Sequence, residues 1–380
     1  MKSNLYVKKV NKVLGFSLIE LLIAIALSSI VTIVVVQLFT QTKSSYVVQE
    51  STTRMLENGR YAIQLLTKAI RSADFWGCIP TFEQEGKLPN WPPSGVQSIV
   101  NNLPITSIPG GVTGTENINA PGPAGSATQP DTLTVSGVIR GASFPLFSDL
   151  TNPVDPIVIS LGPATASNIQ PNEIMVIANC THAEIFQATN NVDATATTGN
   201  DPNTATIQHD IVPFPTPTPY NNLKADFNNT YRASDSVVYR GTSTNVSYFI
   251  DPNFDHDGDG GLTTPAVPTL MRSIDGVPNP EALVPGVENL QLVFGEDTDT
   301  PLDGQADRYV TANNVANFAN VVSVRITLVV RSPDATNNSA ANYTIEGVQI
   351  DGTTIPAEAN GLFHSRKVYT TTVTVRNRMS

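Results

Sequence analysis

The feature that most constrains this chain is one apolar run near its start. Leu21 to Phe39 is interrupted only by Ser28, Ser29, Thr32 and Gln37. A stretch of about 19 residues is long enough to cross a bilayer as a helix. The fifteen residues MKSNLYVKKVNKVLG carry Lys2, Lys8, Lys9 and Lys12 and no acid, which predicts that their side stays cytoplasmic. Everything after about residue 40 then faces the periplasm or the exterior. A secretory signal peptide would show small residues at a cleavage site after the apolar segment. Val34-Val35-Val36-Gln37 offers none. An uncleaved anchor leaves Glu20 unexplained. An acid at the centre of such a helix costs about 2.5–3.5 kcal/mol and less at its rim, so a carboxylate there calls for a partner.

The helical pattern continues past the apolar run. Val48, Met55, Ala62, Ile63, Leu66, Ile70 and Ala73 recur at spacings of three, four or seven, the apolar face of an amphipathic helix. No proline occurs between Phe16 and Ile79, and Gly59 is a tolerated cost of about 1 kcal/mol. The pattern predicts a helix from Phe16 to about Ala73, roughly 87 Å long. Its second half suits packing on a globular domain; a coiled coil is the alternative, though the repeat is short and drifts.

Residues 80–130 and 190–222 are rich in Pro, Gly, Asn, Ser and Thr and read as long loops, the second carrying Pro213, Pro215, Pro217 and Pro219. Strands are predicted at 132–139, 157–161, 173–178, 183–189, 236–240, 246–250, 269–273, 290–294, 321–331 and 368–376. The β-branched run from Val321 to Arg331 is the strongest of them. The expected fold class is therefore α+β: a long N-terminal helix packed on an antiparallel β-sheet domain with long loop insertions. The segments are 1–15 as a leader, 16–40 as the membrane half of the helix, 41–79 as its amphipathic half, and 80–380 as the β-rich domain. Two β subdomains split near residue 222 are the alternative.

The net charge is −11, and loss of the four leader lysines takes it to −15. So acidic a chain is a poor partner for phosphate backbones, and no nucleic acid is expected. His182, His209, His256 and His364 stand in no metalloprotease or zinc-ligand spacing, and no nucleophile elbow, P-loop or dinucleotide fingerprint occurs. Neither catalysis nor a small-molecule substrate is expected.

Gly15-Phe16-Ser17-Leu18-Ile19-Glu20 resembles the signal of type IV prepilins and pseudopilins. The resemblance implies cleavage after Gly15 by the prepilin peptidase, methylation of the new N-terminal Phe16, and contact of Glu20 with the N-terminal amine of a neighbouring subunit. A buried carboxylate is tolerable when a cation pairs with it, and that amine is one. Glu57-Asn58-Gly59-Arg60-Tyr61-Ala62, the Ile70–Cys78 segment, Val284-Pro285-Gly286-Val287-Glu288-Asn289-Leu290-Gln291, Val321–Ile326 and the closing Thr370–Arg378 resemble PilW-type minor pilins. That likeness implies partners: other minor and major pilins through the helix, the prepilin peptidase and the inner-membrane assembly platform. It also implies passage from the inner membrane to the periplasm and the pilus on the cell surface. A minor pseudopilin of type II secretion and a calcium-dependent tip adhesin on the same scaffold are the alternatives.

Two cysteines in 380 residues fit one bridge in an oxidising compartment. Cys78 follows the helix, Cys180 follows a predicted strand, and the family likeness implies that they pair. Two reduced thiols are the alternative. Two acidic clusters complete the candidates. Asp255, Asp257 and Asp259 with Gly260 copy the start of an EF-hand loop, but Ala266 stands where the bidentate Glu belongs. Asp297, Asp299, Asp303 and Asp307 form a second partial match. Each reads either as a calcium site or as a solvated Asp-Gly turn that needs no metal; no cofactor is required.

Overall fold

The structure is a computed structural model. It describes residues 17–75 and, in segments, 96–376; residues 1–16, 76–95 and 377–380 and the internal stretches 101–110, 117–128, 137–142, 162–168, 193–202, 212–221, 241–244, 257, 259–266, 275–278, 300–301, 346–347, 351–354, 356–357 and 359–360 are outside the description. One long helix, α1 (Leu18–Ser72), opens the chain. Contacts divide the molecule into two compact units, Met1–Thr53 and Arg54–Ser380.

The first unit contains the apolar part of α1. Leu18 to Phe39 present large apolar side chains that are more than half exposed. The polar interruptions hide their hydroxyls in the helix: Ser28 donates to the Ile25 carbonyl, Ser29 to Ala26 and Thr32 to Ser28, at 2.7–3.0 Å. Back-bonding of this kind removes the donor that lipid would leave unsatisfied. By length and composition the helix is able to cross a membrane.

The second unit begins with the rest of α1. Its strands, in chain order, are β1 (Val96–Ser98), β2 (Val112–Thr115), β3 (Thr132–Ser136), β4 (Ser143–Pro145), β5 (Ile157–Ser160), β6 (Ile174–Ala178), β7 (Ala183–Gln187), β8 (Thr204–Ile207) and β9 (Val237–Arg240). There follow β10 (Asn245–Phe254), β11 (Val267–Ile274), β12 (Glu281–Pro285), β13 (Val287–Glu296), β14 (Arg308–Val310), β15 (Val321–Asn337), β16 (Tyr343–Ile345), β17 (Val348–Ile350) and β18 (Phe363–Thr374). They form sheets ordered β1-β7-β6-β9-β4, β12-β11-β10-β3-β2 and β14-β13-β15-β18, with two-stranded pairs β16-β17 and β5-β8. All described pairings are antiparallel except β1 with β7.

The α+β architecture is thus a helix on antiparallel sheets, spread over several sheets instead of one. Met55, Ala62, Leu66, Ala69, Ile70 and Ala73 are buried and share a core with Val112, Leu133, Leu270, Leu290, Phe294, Ile326 and Leu328. The 3–4–7 spacing puts these helix residues on one face, and the sheets, not a second helix, cover it. The helix stops at Ser72 because Asp74 takes a left-handed φ of 62° and its N–H turns to the Ser136 carbonyl at 2.8 Å.

The sheets interleave along the chain. β3 pairs directly with β10, Val135 opposite Val246, so residues 137–244 are inserted between neighbouring strands. Most of that insertion packs on a separate core that includes Phe144, Ile157, Ile159, Met175, Ile177, Phe186, Phe227 and Val238. A cut near residue 222 would divide both five-stranded sheets, so the chain does not split there. The region 80–130 also holds β1 and β2, and 190–222 holds β8, where composition predicted loops. These strands are three or four residues long, too short to carry a periodic signal; pairing with β7, β3 and β5 makes them strands.

Candidate assembly site

Glu20 lies in the first turn of α1. Its Oε2 accepts the backbone N–H of Ser17 at 3.0 Å, and the side chain is exposed. A carboxylate at a helix N-terminus meets unsatisfied N–H groups and the positive end of the dipole, which favours it there without any partner chain. Gly15 and Phe16 lie outside the described residues.

Further along, the pilin-like segments meet one another. Asn58 donates from Nδ2 to the Pro285 carbonyl at 3.1 Å, joining the helix motif to the turn before β13. Gly59 faces Tyr369 of β18 so closely that an added Cβ would sit 2.2 Å from a ring carbon. The Tyr369 hydroxyl reaches the Leu56 carbonyl at 3.4 Å. A glycine in mid-helix lowers helix propensity; here it makes room for an aromatic ring of the sheet. Gly286, at φ 83°, supplies the turn between β12 and β13, and its carbonyl accepts the Arg331 N–H at 2.8 Å. Two residues on, Glu288 is buried and grips Arg366 through both oxygens, at 2.7 and 2.8 Å. Arg331 stands 3.8 Å from the same carboxylate.

Cys180 is exposed in the turn between β6 and β7. Asn179 shapes that turn by accepting the N–H groups of Thr181 and His182 at 2.8 and 2.9 Å. Phe75, just beyond the helix, packs edge-on against Tyr239 at 5.6 Å, and Tyr239 is paired with Val176 of β6. Cys78 lies outside the described residues.

Of the first acidic cluster, Asp257 and Asp259 are outside the described residues, and Asp255 accepts the Gly258 N–H at 3.0 Å. The second cluster closes on itself. Buried Asp297 accepts the Gly304 N–H at 2.6 Å, and Asp307 accepts the N–H and hydroxyl of Thr298 at 2.6 and 3.0 Å. Asp303 accepts the N–H of Gln305 at 2.8 Å. The Thr298 N–H holds the Asp307 carboxyl below its ordinary range, while Asp307 above all pushes Asp299 up. Among the described residues no group of three or more His, Cys, Asp or Glu is set to hold a metal ion.

Residues 10–36 match the prokaryotic N-terminal methylation motif, and residues 248–377 match the model described as type IV pilus-assembly protein W. The chain is a type IV pilus minor pilin. Its matched C-terminal region runs from within β10 to just past β18, so it contains the Gly286 turn, Glu288, Arg366 and Tyr369. No curated protein and no solved structure matches the minor pilin. Its role is in pilus assembly, its family is structural, and its N-terminal helix is of the membrane-anchoring kind.

Sequence reading missed three polar anchors of this minor pilin. Glu184 is wholly buried and accepts from the backbone and side-chain N–H groups of Asn228 and Asn229. Asn222 is buried between Gln187, His209 and Asp210. The Glu288–Arg366 pair lies within the matched segments. Glu184 and Glu288 shared one sequence signal, an acid inside an apolar strand, and Asn222 had none.

Proposed function

We propose that this minor pilin is cut after Gly15, methylated at Phe16 and drawn into a small complex that primes or caps the pilus. The observation that carries the proposal is an apolar helix surface, more than half exposed from Leu18 to Phe39, with one carboxylate at its start. Such a surface asks for lipid first and neighbouring helices afterwards. In the lone chain Glu20 caps its own helix through Ser17; in the pilus the freed amine of the next subunit takes that place. The partners are then other pilins, the prepilin peptidase and the assembly platform, and the globular unit passes through the periplasm to the cell surface. The protein acts as a scaffold and catalyses nothing. Deletion of the gene is expected to abolish surface pili, the wild-type gene to restore them, and Glu20→Ala to restore fewer than one cell in ten to piliation, counted by electron microscopy. Full piliation with Glu20→Ala in place would remove the assembly role of Glu20.

A bridge between Cys78 and Cys180 is part of the same reading. What supports it is proximity: Phe75, three residues before Cys78, packs on Tyr239 beside the strand that leads to Cys180. Closing about 100 residues contributes up to about 4.7 kcal/mol in the chain-entropy model. Thiol blocking before reduction is expected to label neither cysteine, read by intact mass; two labelled thiols refute the bridge.

Calcium is proposed for the loop from Asp297 to Asp307. The support is the repulsion that raises Asp299, which a divalent cation would relieve. Millimolar Ca²⁺ is then expected to raise the melting temperature, and an unchanged melt leaves an Asp-Gly turn closed by its own hydrogen bonds.

A further inference from the structure

The edge of a sheet is a row of unpaired backbone donors and acceptors, which proteins keep short, charged or covered. The edge strands β1, β2, β4, β12 and β14 are three to five residues long, and β4 and β12 each contain a proline. β18 is an edge strand of twelve residues. From Val368 to Val375 the chain has only valine, threonine and one tyrosine, with no charge, glycine or proline. Such a stretch pairs readily with any strand offered to it.

The ladder fixes which groups point outward. Val375 donates its N–H to the Val322 carbonyl at 2.9 Å, and Val373 and Thr371 stand opposite Val324 and Ile326. Bonding alternates along an antiparallel strand, so Val373 and Thr371 bond to β15, while Thr370, Thr372 and Thr374 turn their N–H and C=O groups away from it. All three are exposed, and no described backbone group takes up those outward groups. The opposite edge of the same sheet is closed. Asp131 accepts the Leu292 N–H at 2.8 Å and gives its own N–H to the Leu290 carbonyl at 2.7 Å, and β14 pairs with the end of β13.

Charge at the β18 edge also runs against the domain. Residues 76–380 hold 29 acidic and 13 basic side chains, a balance of −16, yet residues 359–380 hold Arg366, Lys367, Arg376 and Arg378 and no acid. Glu288 takes Arg366. Lys367 and Arg376 are exposed and make no salt bridge with a described residue. They stand at the two ends of the uncharged stretch, about 30 Å apart along the strand.

We propose that the outer edge of β18 takes up an extended segment of a different protein as a further strand, and that this segment carries a carboxylate at each end. Main-chain bonds to Thr370, Thr372 and Thr374 supply the grip, and the two end cations supply the choice of segment. A second copy of this chain does not fit. β18 laid edge to edge against itself, in either direction, sets like charges from Lys367 and Arg376 beside one another. The site is independent of whether the protein primes or caps the pilus.

The test follows amide exchange of the full chain in detergent, with and without a synthetic peptide of alternating Val and Thr that carries an Asp at each end. Alone, the protein is expected to exchange fast at Thr370, Thr372 and Thr374 and slowly at Thr371 and Val373. The peptide is expected to slow the three outward amides at least tenfold, and the same peptide ended by Lys is expected to leave them unchanged. Lys367→Glu/Arg376→Glu is expected to reverse that preference. Thr372→Pro removes one outward N–H without touching the β15 ladder and is expected to abolish the effect of the peptide. If that variant does not fold by circular dichroism, the charge-reversed pair decides. Slow exchange of the three amides in the lone chain overturns the proposal, because the edge is then already covered. Protection that grows with protein concentration alone overturns it in favour of a second copy. No protection by the Asp-ended peptide, or equal protection by both peptides, also overturns it.

Discussion

Replacing Glu288 with Ala is expected to destabilise the globular unit by about 3–5 kcal/mol, because it strands two guanidinium groups in a nearly dry site. The Glu288 side chain is 3% exposed, that of Arg366 10% and that of Arg331 15%. Burial already pulls the Arg331 guanidinium below its ordinary value, with Glu288 the chief opposing influence. Loss of the carboxylate removes that opposition, and among the described residues Arg331 keeps only the half-exposed Glu358 as an acidic neighbour, at 3.8 Å. At about 2–4 °C per kcal/mol for a domain of this class, the melting temperature should fall by roughly 10 °C. Glu288→Gln should fall between, since one oxygen still accepts from Arg366. A melting midpoint within 2 °C of wild type for Glu288→Ala would show that water, not Glu288, satisfies the two arginines. The pair also ties β13 to β18, strands separated by β15 in the sheet. The same variant should therefore loosen the docking of Tyr369 on Gly59, read as faster amide exchange around both.

Much of this was legible in the sequence because the signals were local and repeated. The helix showed itself through period and the absence of proline. The long strand β15 showed itself through a β-branched run and β13 through the apolar stretch Leu290–Phe294, both largely buried on both faces. Short strands were not legible. Val112–Thr115 acquires its strand character from pairing with β3, and Gly114 is there because Phe294 leaves a Cβ no space, 2.5 Å from the ring. The motif Asn58-Gly59 was visible as a family likeness, yet its meaning lies in contacts with Pro285 and Tyr369, more than 200 residues away. The insertion of 137–244 between paired strands was hidden for the same reason, since no local pattern says that Ser136 and Asn245 are neighbours.

Glu184→Gln is the second large expected effect, and it acts inside that insertion. The carboxylate is wholly buried, with no cation beside it among the described residues. Its oxygens accept the Asn228 N–H at 2.7 Å, the Asn229 N–H at 2.9 Å, both side-chain amides at 3.0 and 2.8 Å, and the Tyr231 hydroxyl at 3.3 Å. Burial, with Glu184 adding to it, drives the Tyr231 phenol far above its ordinary range, so Tyr231 only donates. Every contact of Glu184 is therefore a donor, and a glutamine amide would point an N–H₂ at two of them. Losing charge-assisted bonds and leaving buried donors without acceptors costs about 2–4 kcal/mol. The loss should be local. Asn228 to Tyr231 close the loop over β7, whereas the matched region 248–377 packs around the core that α1 shares. Amide exchange is expected to rise at least tenfold at Asn228, Asn229 and Tyr231 while β13, β15 and β18 keep their protection. Uniform loss across both regions would mean that the insertion and the helix-bound core unfold as one. With local loss, a strain carrying Glu184→Gln should still make pili, and any change in what those pili attach to would trace to the insertion.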